Sequence, residues 1–271
     1  MTISAPSTLS EAKITETLLA SAAAARPVTL ERFRTQLVVD NKDHGGFDPV
    51  TEADREAEIA IRRIIGERHP DHGIVGEEWD AKAGTSPYCW VIDPIDGTRA
   101  FISGVPVWGT LIGLTHEGRA VAGLMEQPFT GEYWLAAGGK LQHGRNGIPA
   151  PATASTVTKL ELARTSTTSP DMFEGREHAA WTALKDRVQV VRYGLDCYAY
   201  CLLATGQIDL VVEVGLKDVD ITPLIPIIEA AGGVITTWDG GRAEMGGSCV
   251  AAATPELHEQ ALAVLGAAMA G

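Results

Sequence analysis

Two carboxylates and a hydroxyl stand close together in the stretch Trp90-Val91-Ile92-Asp93-Pro94-Ile95-Asp96-Gly97-Thr98-Arg99-Ala100-Phe101. The apolar residues 90–92 read as a β-strand that delivers Asp93 to its carboxyl end; Pro94 stops the strand, and Asp96-Gly97-Thr98 opens a short helix. The free N–H groups at such a helix start, those of Gly97 and Thr98, suit a phosphate. Two acids beside them repel that phosphate unless hard cations lie between, and an all-oxygen donor set of this kind suits Mg²⁺. Taken alone, the same residues also read as a helix cap at Asp96 and a turn at Asp93.

The rest of the chain must place these groups. Residues 10–25 carry Ile14, Leu18 and Leu19 on an amphipathic helix that Pro27 breaks or kinks. Residues 36–41 alternate weakly as a strand, and Lys42-Asp43-His44-Gly45-Gly46 is a polar, glycine-rich loop able to fold over a site. Residues 51–67 form the clearest amphipathic helix, with Ala53, Ala57, Ala60, Ile61, Ile64 and Ile65 on one stripe. Asp54 borders that stripe, and with Thr51 it has the spacing of a capping box. His69 and His72 flank Pro70 and precede Gly73, which predicts a turn that leaves both at the surface. A short strand from Gly73 then runs into Gly76-Glu77-Glu78.

Downstream, residues 105–116 and 119–126 predict a hairpin through Glu117-Gly118, and further β segments at 133–137 and 140–143 extend an antiparallel sheet. Residues 149–158 read as a linker dividing an N-terminal α+β half, 1–150, from a C-terminal α/β half, 151–271. In the latter, strands at 160–165, 188–192 and 208–214 alternate with helices at 177–185 and 196–204, which implies an α/β layer. Asp196 opens one of these helices, and Glu213 lies near the carboxyl end of the last strand, where such folds place ligands. Asp220 opens a helix running to Gly232-Gly233.

Composition narrows the function. With 22 Lys and Arg against 35 Asp and Glu, the formal charge is −13, which opposes general attraction to nucleic acid or anionic membrane. An acidic protein acting on an anion needs cations. Residues 1–10 have neither a basic segment nor an apolar core, and no apolar run is long enough for a bilayer, so a cytoplasmic location is expected. Cys89, Cys197, Cys201 and Cys249 form no C-x-x-C pair and read as buried free thiols.

Taken together, the 90–101 stretch, Gly76-Glu77-Glu78, Asp48-Pro49-Val50-Thr51-Glu52-Ala53-Asp54 and Asp220 resemble the inositol monophosphatase family of Mg²⁺-dependent phosphomonoesterases, over about residues 48–233. The resemblance implies an α/β (α+β) fold, the layered α-β-α-β-α sandwich shared with fructose-1,6-bisphosphatase, and a homodimer. It implies that Glu77, Asp93, Asp96, Asp220 and the Ile95 carbonyl hold two or three Mg²⁺ ions, which activate water for in-line displacement without a covalent phosphoenzyme. Glu77, Thr98 and Asp54 would then be catalytic, with Asp54 facing the metals and orienting Thr98. Gly97 and Thr98 would hold the phosphate, Glu213 would meet the substrate's hydroxyl or amino group, and Lys42 would belong to a loop that closes near the metals. Val219 stands where the family usually has Trp or Tyr.

Within the family, the runs 98–101, 108–113, 194–200 and 224–229 are most similar to the histidinol-phosphate phosphatase branch, although Lys217-Asp218-Val219-Asp220 departs from its usual Lys-Pro-Tyr-Asp. A cationic amino-alcohol phosphate also suits Asp196 and Glu213 by charge. The expected activity is hydrolysis of histidinol phosphate, a step of histidine biosynthesis, with inositol 1-phosphate or another small phosphomonoester as the alternative. Dehalogenase-type phosphatases, which form an aspartyl phosphate at D-x-D-G-T, fit less well because the acid spacing here is longer by one. A non-catalytic binder fits less well too, since every expected ligand and the Thr98 hydroxyl are present.

Overall fold

The computed structural model describes residues 9–36, 38–41 and 49–270; Lys42 with its loop, and Asp48, lie outside the described residues. The first part of the chain runs α1 (Glu11–Arg32), β1 (Val39–Asn41), β2 (Pro49–Thr51), α2 (Glu52–Arg68), β3 (Gly73–Gly76), β4 (Tyr88–Asp96) and α3 (Thr98–Ile102). Five strands follow: β5 (Gly109–His116), β6 (Arg119–Gln127), β7 (Glu132–Ala137), β8 (Lys140–Arg145) and β9 (Ile148–Ala150). The remainder is β10 (Arg164–Thr167), α4 (Gly175–Lys185), β11 (Val190–Tyr193), α5 (Tyr198–Ala204), β12 (Leu210–Leu216), α6 (Asp218–Ile221), α7 (Ile225–Ala230), β13 (Val234–Thr237), β14 (Gly247–Ala252) and α8 (Pro255–Ala270).

Among the described residues, β3 to β9 pair in sequence order as a seven-stranded sheet, antiparallel except for β3 with β4. A five-stranded sheet has the order β11-β10-β12-β14-β13, in which β11, β10 and β12 run parallel and β14 opposes both its neighbours. Side-chain alternation assigns the layers. On β5, Ile112 and Leu114 face a core shared with Leu18 and Ala22 of α1 and Ile61 and Ile65 of α2. Leu111 points the other way, into a core with Leu203 of α5, Ile227 and Ile228 of α7, and Val211 and Ala251 of the second sheet. On that sheet's outer face, Trp181 and Leu184 of α4 pack with Leu257, Ala261 and Leu265 of α8. The result is the α-β-α-β-α sandwich, built from sheets buried on both faces.

Several local expectations give way to tertiary packing. Pro94 does not end its strand: β4 continues to Asp96, the pairing with β5 shifting between Asp93 and Asp96. Pro94 has no N–H for the ladder, and its carbonyl accepts the Thr110 hydroxyl at 2.9 Å, so the chain bulges and resumes. Helix α1 likewise runs through Pro27 to Arg32, held by the buried Ala25 and Thr29 on either side. The expected strand from residue 105 begins only at Gly109, because Trp108 turns in to pack with Phe33, Ile95 and Phe101. The helix expected from Asp220 to Gly232 is two pieces, α6 and α7, separated around Pro223.

The histidines are also not at the surface. His69 and His72 are buried, their rings stacked at 4.6 Å. His69 Nε2 lies 2.9 Å from the Thr17 hydroxyl, and Trp90 Nε1 donates to His72 Nδ1 at 3.0 Å. Burial pushes His69 down to about 4, so the pair serves as neutral packing between α1, α2 and β4.

One contact sets how the two sheets meet. Gly113 and Gly123 face each other across β5 and β6, and Pro223 rests on them. A Cβ at Gly123 would come within 1.9 Å of the Pro223 oxygen, and one at Gly113 within 3.1 Å of Pro223 Cα. The missing side chains let the segment just after Asp220 lie directly on the first sheet.

Candidate active site

The bulge in β4 is what makes two acids converge. In a regular strand, residues three apart project to opposite faces, yet carboxylate oxygens of Asp93, Asp96 and Asp220 all lie within 4.8 Å of one another. Asp93 Oδ1 accepts the Ile95 N–H at 3.0 Å, which folds the strand end back on itself. Asp96 Oδ2 accepts the Cys197 N–H at 2.9 Å, tying β4 to the start of α5. Asp220 Oδ2 accepts the Lys217 N–H at 2.7 Å and caps α6. Each acid is thus held by a backbone amide from a different part of the fold.

The electrostatics leave this cluster short of positive charge. Burial pushes Asp93 and Asp96 well above the carboxylate range, and neighbouring acids add to it: Glu77 and Asp96 on Asp93, Asp220 and Asp196 on Asp96. Asp220 is raised to about 6, again by burial first, with Glu77 contributing. Buried like charges favour protonation unless a cation replaces the protons. Oxygen donors at this separation, one buried and two half-buried, fit a divalent hard ion.

Glu77 stands beside the cluster rather than within it. Its N–H donates to the Ile92 carbonyl at 3.2 Å, and its Oε1 accepts Lys217 Nζ at 3.0 Å. The turn that carries it is fixed by a residue the sequence did not single out. Glu58, fully buried on α2, accepts the Glu78 N–H at 2.7 Å and Arg62 Nε at 2.6 Å, while Arg62 also donates to the Trp79 carbonyl. A Cβ on Gly76 would collide with the Glu58 carboxylate. The available signal was an acid within the apolar stripe of α2, paired with an arginine four residues on.

Asp54 and Thr98 are placed apart in partnership. Asp54 Oδ2 accepts both the Thr51 N–H, at 2.9 Å, and the Thr51 hydroxyl, at 2.6 Å, completing the capping box. Burial raises it to about 6 despite these bonds. The Thr98 hydroxyl instead donates to the Ile95 carbonyl at 3.2 Å, and no hydrogen bond joins Asp54 to Thr98 among the described residues. Gly97 adopts φ +82°, and a Cβ there would come within 3.1 Å of Asp196 Cβ. Asp196, itself at φ +46°, nests against this glycine. Since α3 has five residues, its dipole is small, and cations must supply most of the attraction for a phosphate.

Two connected spaces adjoin the triad. The outer, about 270 Å³, is lined by Glu77, Asp93, Thr98 and Lys217; the inner, about 160 Å³, by Glu213, Tyr200, Cys197 and Gly215, with Asp96, Asp220, Asp196, Thr168 and Met172 bordering both. Asp196 is raised to about 6 by burial, opposed by Arg99. Glu213 is 1% exposed. Its Oε1 accepts the Thr168 N–H and hydroxyl at 2.7 and 3.0 Å, and its Oε2 the Thr167 hydroxyl at 3.2 Å. Burial nevertheless pushes it up to about 8. Cys197, Cys201 and Cys249 are buried free thiols, and Cys89 is half-buried. No helix among the described residues is long and apolar enough to cross a membrane.

Comparison with known proteins agrees with this geometry. The chain is 42% identical over 254 residues to the chloroplastic bifunctional phosphatase IMPL2 of Arabidopsis thaliana, covering 90% of this chain and 72% of that protein. It is 34% identical over 261 residues to histidinol-phosphatase of Mycobacterium tuberculosis, covering 92% and 97%. An inositol monophosphatase from Zymomonas mobilis superposes with a TM-score of 0.84 at 35% identity, covering 96% of this chain and all of that one. Residues 10–270 match the family model described as the inositol monophosphatase family, and the chain belongs to that family of metal-dependent phosphomonoesterases.

Proposed function

We propose that this chain is a Mg²⁺-dependent phosphatase whose preferred substrate is histidinol phosphate. The observation that carries the substrate preference is the pair Asp196 and Glu213 on the compartment next to the acid triad. An ammonium group entering there gains charge-assisted hydrogen bonds that a neutral hydroxyl does not match. The likeness to a histidinol-phosphatase and to a bifunctional phosphatase supports the same reading.

Asp93, Asp96 and Asp220, with Glu77 and the Ile95 carbonyl, hold two or three Mg²⁺ ions in this reading. When bound, the ions activate water and neutralise charge on the phosphoryl group. Gly97 and Thr98 receive the phosphate through their amides, and the Thr98 hydroxyl orients the attacking water. Asp54 fixes the start of α2 through Thr51, and joining Thr98 requires it to change partners. Lys217, now on Glu77, places a positive charge at the mouth where the anionic ester enters.

A second reading, inositol 1-phosphate as substrate, has its own support. Glu213 already accepts three hydrogen bonds and is raised to about 8, so a neutral polyol suits it without a charge change. Phosphate release from histidinol phosphate, inositol 1-phosphate, fructose 1,6-bisphosphate and adenosine 3′,5′-bisphosphate, with Mg²⁺ and with EDTA, decides between them. Fastest turnover of histidinol phosphate is expected, with no release in EDTA. Glu213→Gln should raise KM for histidinol phosphate by roughly ten- to a hundredfold, with less effect on inositol 1-phosphate. Equal losses, or faster wild-type turnover of the inositol ester, would make inositol 1-phosphate the substrate.

A further inference from the structure

Seven buried side-chain polar atoms lack a hydrogen-bond partner among the described residues, and the Tyr200 hydroxyl is the one whose residue lines the candidate cleft. Tyr200 lies on α5, four residues after Asp196, and is 3% exposed. The body of its ring belongs to the core between the two sheets. Burial raises the phenol well above its ordinary range, and Glu213, Cys249, Asp96 and Asp220 raise it further. The same residue borders the inner compartment together with Glu213, Asp96 and Asp220.

None of those acids takes its proton. Glu213 is occupied by Thr167 and Thr168, Asp96 by Cys197 and Asp220 by Lys217. A hydroxyl withdrawn from water with nothing to bond is destabilising, and native proteins keep such groups where a ligand or a water completes them. Here the space beside the residue is the inner compartment, which Asp96 and Asp220 of the triad line as well, and which shares Asp196 with the outer one.

We propose that Tyr200 is a specificity-determining residue: its hydroxyl hydrogen-bonds a polar atom of the substrate's alcohol portion that reaches past Asp196 into the inner compartment. This rests on reading the triad as the phosphate end of the cleft. The substrate class is an alcohol phosphate with a second hydrogen-bonding heteroatom several bonds from the ester oxygen. An imidazole nitrogen of histidinol phosphate is such an atom, and so is a hydroxyl across the ring of inositol 1-phosphate. O-phosphoethanolamine, with its ammonium close to the ester and nothing beyond, lacks one.

The test is Tyr200→Phe, which removes the hydroxyl and keeps the ring. For whichever ring-bearing ester the wild type prefers, kcat/KM divided by that for O-phosphoethanolamine should fall about threefold to tenfold, the range for one neutral hydrogen bond, and the loss should sit in KM. The melting temperature without substrate should stay level or rise, because an orphaned polar group has been removed. An unchanged ratio overturns the proposal, and so does a fall in melting temperature, which would reveal a structural partner for the hydroxyl. If the wild type releases phosphate from none of the three esters in Mg²⁺, the phosphatase reading itself fails, and this proposal with it; wild-type activity with an unchanged ratio sinks the proposal alone.

Discussion

Two groups of acid in this molecule, one fully buried and one buried at Asp93 and half-buried at Asp96 and Asp220, have opposite surroundings. Asp209, fully buried at the start of β12, accepts the Arg164 N–H at 2.7 Å, Arg164 Nε and a terminal guanidinium nitrogen at 2.8 Å each, and the Ser155 hydroxyl. Burial alone would raise it, yet the bonds from Arg164 and Ser155 hold it below the ordinary carboxylate range. Asp93, Asp96 and Asp220 face mainly one another and are raised. Burial is common to both groups; the difference is whether the fold supplies the counter-charge. Where it does, the acid is part of the scaffold. Where it does not, the acids are matched to something that arrives from solution.

Removing an acid from each group should break the comparison in different currencies. Asp93→Asn should abolish turnover while leaving the fold intact, since it deletes a charge without changing side-chain size. Phosphate release above about a tenth of the wild-type rate would argue against Asp93 as a central ligand, because tenfold is only about 1.4 kcal/mol of barrier. Asp209→Asn should do the reverse. It should cost about 2–3 kcal/mol of stability, read as a lower denaturant midpoint, with kcat of the folded enzyme unchanged. The cost is kept below that of a wholly buried pair because the Arg164 side chain is 39% exposed and can turn to water.

A smaller effect sharpens the contrast through pH, in EDTA. The triad acids are raised in the folded state, so the stability they lend is present below the unfolded carboxylate range near 4 and is lost as pH rises above it, for Asp220 through about 6. Asp209 is lowered, so its contribution is present above that range and is lost as pH falls below it. Subtracting the Asp93→Asn curve of denaturant stability against pH from the wild-type curve should therefore leave a slope falling with pH. The same subtraction with Asp209→Asn should leave a rising one. Two slopes of one sign would mean the groups do not differ in the way described. Mg²⁺ should recover the loss at neutral pH in the wild type and do so less in Asp93→Asn.

What the sequence made legible was set by range. The acids of the 90–101 stretch, the capping box of α2 and the layered fold follow from patterns a few residues long, or from a family resemblance carried by such patterns. The bulge at Pro94 was not legible, because whether a strand stops or resumes after a proline depends on the neighbour it pairs with, here Thr110 and its strand. His69 and His72 looked like turn residues because their partners, Thr17 and Trp90, lie elsewhere in the chain. Glu58 drew no notice for the same reason: its role lies in the Glu78 amide on another element. Local patterns reveal which groups are present, whereas tertiary partners decide what each is spent on.

The seat of Pro223 on Gly113 and Gly123 bears on how the protein is made. Asp220 reaches Asp93 and Asp96 only when the second sheet's segment has docked on the first, so the triad is a contact of large sequence separation, of the kind whose loop closure slows folding. No fragment ending before α6 holds it, and a nascent chain lacks it until nearly the whole sandwich has emerged. On the proposed metal-site reading, ion binding at the triad acts as a checkpoint on assembly. Such binding stabilises only chains whose two halves have already met, and it makes the completed molecule slower to come apart.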